Sequence, residues 1–93
     1  MTTSRTPPFK KVARVQIGAR VEKNLVKVLK ALAEYLDLSL GDLLEGIVLH
    51  AFDGKAPFTA QTREHIARLK SVYGLILTAE NSHRLTEEDD ARR

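Results

Sequence analysis

Ninety-three residues suffice for one small domain, or for a smaller core with an extension, and leave little room for an enclosed active site. The absence of cysteine excludes disulfides and thiolate metal sites. The formal net charge is only +3, yet residues 1–30 carry eight basic side chains against Glu22 alone, and the rest of the chain is acidic on balance. Such a division suits a polyanionic partner for the first third, or more plainly a solvated basic face.

No apolar run approaches the roughly 18 residues of a membrane span, and "MTTSRTPPFKK" lacks the apolar middle of a signal peptide, so a cytoplasmic protein is expected. Residues 1–10, with Pro7 and Pro8 adjacent, read as a flexible basic arm carrying Arg5. From Val12 to Ile17 apolar and polar residues alternate: Ala13, Val15 and Ile17 share one face, and Val12, Arg14 and Gln16 the other. That period of two predicts a short β-strand, with Gly18 as its exit.

A first helix follows, with Val21, Leu25, Val28, Leu29, Leu32, Tyr35 and Leu36 in one arc. Lys23, Lys27, Lys30 and Glu34 fall opposite and are expected to be solvated. Asp37 marks its end, and Ser39 is placed to cap a second helix over residues 40–52, with Asp42 in the capping-box position. Leu40, Leu43, Leu44, Ile47, Val48, Ala51 and Phe52 cover so wide an arc of that helix that more than one neighbour is required. "DGKAP" ends it. A third helix is expected to start after Thr59 or Thr62, with Ile66, Leu69, Val72, Tyr73, Ile76 and Leu77 as its stripe; "GLILTA" reads alternatively as a short strand. The polar end, "LTEEDDARR", is expected to be disordered.

A lone strand leaves its backbone groups unpaired. The expected solution is antiparallel pairing of "VARVQI" with the same stretch of a second chain, giving a homodimer with Ala13, Val15, Ile17, Leu43 and Ile47 in its core. A two-stranded ribbon fits the major groove of duplex DNA, where Arg14 can donate two hydrogen bonds to guanine and Gln16 can pair with adenine. Arg5, Lys10 and Lys11 would meet phosphates, as would the first backbone N–H groups of the second helix at Ser39, Leu40 and Gly41.

Strand, helix and capped helix in this order, carried by "ARVQIGARV" and "LDLSLGDLLEGIV", resemble the ribbon-helix-helix family of Arc, Met and CopG-type repressors. The resemblance covers nearly half the chain. It implies an obligate dimer that reads bases through Val12, Arg14 and Gln16 and holds phosphate at Ser39, Leu40 and Gly41. Asp37 stands where many members have Gly, and the first helix is about a turn longer than theirs. The expected architecture is mainly α with one short N-terminal β-strand, a ribbon-helix-helix dimer over residues 11–53, and a C-terminal helical extension with a polar tail over 54–93.

For catalysis the only candidates are His50, His65 and His83 with scattered carboxylates, and none has metal-ligand or nucleophile spacing. No phosphate-binding glycine loop and no cofactor motif is present, so no enzymatic activity and no cofactor are expected. The expected function is sequence-specific double-stranded DNA binding, and the resemblance adds transcriptional repression, as a dimer or an assembly of dimers. The rival is an antitoxin or protein-interaction module whose residues 55–93 bind a partner protein.

Overall fold

The computed structural model describes residues 9–88, which form three helices, α1 (Lys23–Leu36), α2 (Leu40–Phe52) and α3 (Ala60–Tyr73), and a single 3-10 turn at Ala79–Asn81. The fold is mainly α. Helix α1 packs against both α2 and α3 and is the element the other two share. Leu32 and Ala33 of α1 meet Leu43 of α2 at the buried centre, and Leu29, Leu36, Ile47, Phe58, Ile66 and Leu69 close around it. Val28 and Leu75 are also buried. The amphipathic stripe of α1 thus does what its spacing dictates over Val28 to Leu36, while Val21, Leu25 and Tyr35 at its margins stay exposed.

The ends of the helices are set locally. The Glu22 carboxylate accepts the Leu25 N–H at the start of α1. At the other end Asp37 takes a left-handed conformation, φ 61° and ψ 42°. Its N–H donates to Glu34 O and the Leu38 N–H to Ala33 O, a Schellman closure. Two residues later Ser39 Oγ accepts the Asp42 N–H at 3.1 Å and starts α2 where the sequence places it. Thr59 Oγ caps α3 in the same way through the Thr62 N–H. Gly74, at φ 68°, ends α3 with a second Schellman closure from Leu75 N–H to Lys70 O.

Two expectations are corrected. The short N-terminal β-strand does not form: residues 9–22 carry neither helix nor strand, and no described residue belongs to a strand. The ribbon-helix-helix architecture built on that strand is therefore replaced by a three-helix, mainly α fold. The physical reason is that a strand is defined by its partner, and no described segment of this chain supplies one. "GLILTA" was the only internal rival, and its residues pass from the cap of α3 through an irregular stretch into the 3-10 turn. The expected α3 stripe is also shorter than its pattern. It stops at Tyr73, leaving Ile76 beyond the glycine and 85% exposed, while Leu77 is half-buried.

Most of the N-terminal segment expected to be a flexible arm, and the end of the polar tail, lie outside the described residues. Within them, Phe9 and Lys10 are exposed, and Leu85 to Glu88 form no helix or strand. No described helix is long and apolar enough to cross a membrane.

Candidate nucleic-acid interface

The segment before α1 holds most of the candidate DNA contacts. Lys10, Lys11, Val12, Arg14 and Gln16 are all exposed on it, and Arg5 lies outside the described residues. Ala13, Val15 and Ile17, expected in a dimer core, are exposed within this chain, Val15 at 84% and Ile17 at 81%. The segment is thus held by few contacts of its own. Leu43 and Ile47, expected in the same dimer core, pack within this chain in the core against α1.

One side chain of the segment is fixed. Arg14 reaches the middle of α2, where its Nε donates to Glu45 Oε2 at 2.7 Å and its Nη2 to Glu45 Oε1 at 2.8 Å. This is a parallel two-bond pair of the geometry that makes arginine–carboxylate contacts specific. The side chains remain 63% and 43% exposed, so the pair is a surface feature and contributes little to stability. Its effect on charge state is clear in direction. The hydrogen bond and then the guanidinium charge hold Glu45 below the ordinary carboxylate range. The same hydrogen bond and charge raise Arg14 above its ordinary value. Both groups are ionised at neutral pH.

The α2 N-terminus stands on the same side as that pair. At 100° per residue Gly41 precedes Glu45 by one turn, so the two share a helix face. Ser39 is occupied as the cap, which leaves the first N–H groups of α2, among them those of Leu40 and Gly41, without intrahelical partners. These are suited to an anion. Asp42 in the first turn weakens the local positive potential, and its charge adds to that of Glu45 at Arg14.

A second arginine of the segment is also paired. Arg20 donates to both carboxylate oxygens of Glu87, bringing the acidic end of the described chain to the start of α1. Lys10 and Lys11 precede these pairs, and Lys23, Lys27 and Lys30 follow on the exposed side of α1.

Sequence reasoning missed Glu45. The available signal was a single carboxylate inside the apolar arc of α2, between Leu44, Val48, Leu49 and Phe52, where a solvated glutamate has no reason to sit. The histidines are dispersed. His50 Nδ1 lies 2.7 Å from the Gly46 carbonyl of its own helix. His65 stacks on Tyr35 with ring centroids 3.6 Å apart, joining α3 to α1. His83 takes a left-handed conformation, φ 63°. Among the described residues no group of three or more His, Asp or Glu side chains could hold a metal ion. The surface depressions beside Phe58, one toward α2 and one toward α3, are shallow and open and converge on no such group.

No family model, no curated protein and no solved structure matches the chain.

Proposed function

We propose that this chain is a non-enzymatic, cytoplasmic, sequence-specific double-stranded DNA-binding protein that acts as a homodimer and represses transcription. The observation that carries the reading is the exposed cationic segment before α1. There a base-reading pair, Arg14 and Gln16, follows two phosphate-seeking lysines, Lys10 and Lys11, and Arg14 reaches Glu45 in the second turn of α2. Lysines and arginines on an exposed segment supply the salt-dependent affinity, while Arg and Gln supply the donors and acceptors that distinguish base edges. The likeness of "LDLSLGDLLEGIV" to the turn and second helix of ribbon-helix-helix repressors supports the same reading. Occupying a promoter would block it without any catalytic step.

The test is fluorescence anisotropy with a random-sequence duplex and a duplex from upstream of the protein's own gene, titrated across salt, for wild type and Arg14→Ala. Tighter upstream binding, a steep salt slope and loss of the preference in Arg14→Ala are expected. Equal and weak binding to both duplexes at low salt would overturn the reading.

A second reading has its own observation. Val72 and Ile76 near the end of α3 are exposed apolar side chains within the C-terminal extension, which suits a protein partner held through residues 55–93, as in an antitoxin. A double variant, Val72→Glu with Ile76→Glu, both exposed positions, that keeps DNA binding but no longer co-purifies with a cellular protein would favour it.

A further inference from the structure

The placement of Arg14 raises a question that exposure alone does not. A free surface arginine samples many rotamers and reads a base poorly, because ordering four torsions opposes each contact it makes. Arg14 is not free in this sense. Glu45 holds the side of the guanidinium formed by Nε and Nη2. Of the five N–H donors of the group, that pair uses two, one on Nε and one on Nη2. Left over are both N–H groups of Nη1 and the outer N–H of Nη2, and the outer N–H groups of the two nitrogens form the end-on fork that matches O6 and N7 of guanine.

We propose that Glu45 is a positioning residue for base reading: by clamping the side of the Arg14 guanidinium it presents the end-on fork to a guanine in the major groove. The inference rests on the DNA-binding reading above and assigns the specificity of that site to one guanine and one buttressing carboxylate. Helix α2 is the rigid support. Glu45 projects from its second turn, one turn beyond Gly41, so the same helix that offers N–H groups to a phosphate fixes the reach of Arg14. The preorganised fork loses less rotamer freedom on contact, and the carboxylate next to a phosphate backbone opposes indiscriminate binding. Glu45 therefore raises the ratio of specific to random binding while lowering random binding itself.

The opposite role, a carboxylate that merely competes with DNA for Arg14, makes a different prediction. Removing such a competitor would strengthen binding to every duplex equally. The two are separated by measuring the preference and the random affinity in the same variant.

The experiment uses the full chain. Wild-type protein is first selected against a randomised duplex library, and its affinity is measured for the selected duplex, for each single G·C to A·T replacement in it, and for a random duplex. The same set is measured with Glu45→Ala and Glu45→Gln. In parallel, hydrogen exchange of the Arg14 Nε–H is followed by NMR without DNA. The expected result in Glu45→Ala is a loss of about tenfold or more in discrimination at one G·C position, with higher random-duplex affinity and faster Nε–H exchange. Glu45→Gln, which can accept one of the two hydrogen bonds, should keep an intermediate preference.

A selected guanine preference that survives intact in Glu45→Ala, a uniform gain on all duplexes, or Nε–H exchange unchanged by the substitution would each overturn the buttress while leaving DNA binding in place. A wild-type protein that binds duplexes but selects no motif would remove sequence-specific reading and the buttress with it. Because both side chains are largely exposed, helix content by circular dichroism should be equal in all variants. If Glu45→Ala nonetheless fails to fold, Glu45→Gln carries the same comparison.

Discussion

At the scale of single residues, the fold turns on backbone conformations that the side chains were chosen to tolerate. Asp37 is the clearest case. A left-handed φ of 61° costs an ordinary residue about 1–2 kcal/mol, and Asp less because its short side chain can bond locally. Its carboxylate also sits at the negative end of the α1 dipole, where a cation would be favoured. Asp37→Gly removes both costs at the expense of a more flexible unfolded chain, and should raise stability by about 0.5–1 kcal/mol. Asp37→Val should lower it, by about 1 kcal/mol or more. Urea midpoints at neutral pH would read both. A glycine variant that loses stability would show that the aspartate is held by something beyond its backbone. The turn matters for function because it sets where Ser39, and with it the first turn of α2, faces relative to the basic segment.

At the scale of elements, the capped starts of helices were legible and strand pairing was not. Ser39 and Thr59 announce α2 and α3 because a cap is a contact across three residues, readable wherever a hydroxyl precedes an apolar stripe. Ser39→Ala should therefore cost roughly 1 kcal/mol, and Ser39→Gly only a few tenths. Equal losses would mean that the hydroxyl does more than cap. The alternation over Val12 to Ile17 is a different kind of signal. It states which faces an extended segment would have, but not what would pair with it, and the described chain offers no ladder. The Arg14–Glu45 contact was hidden for the same reason, since thirty-one residues separate its partners and no local pattern connects them. The α3 stripe was overread because Ile76 and Leu77 continue the 3.6 period beyond Gly74, whose left-handed cap ends the helix irrespective of that period.

At the scale of the whole molecule, burial is too small for the apolar residues available. Five apolar residues are buried among those described, while a far longer set of large hydrophobics, from Ile76 at 85% exposure downward and including Phe52 at 81%, is left in solvent. On α2 this surplus is organised. Leu44, Val48 and Phe52 form one stripe with Leu49 beside it, on the side of the helix away from Leu43 and Ile47. Burying one such side chain fully contributes about 1.5–3 kcal/mol, so a face of four is a considerable driving force for association. Under the homodimer proposed above, the C-terminal half of this face, Val48, Leu49 and Phe52, meets its copy, while Glu45 and Arg14, one turn nearer the N-terminus, stay clear of the seam and the two basic segments are carried together onto one duplex. Wild-type protein should then run at twice the chain mass in sedimentation velocity at micromolar concentration. Val48→Glu combined with Phe52→Glu should give a monomer with much weaker DNA binding, because each half-site contact then pays its own association entropy. Both positions are exposed within the chain, so the substitutions themselves leave the α1–α2–α3 core untouched. Helicity retained in the monomer would mean the core stands alone, and helicity lost with the dimer would mean that association completes it. A monomeric wild type, or a doubly charged variant that still dimerises, would move the dimer contact away from α2 altogether.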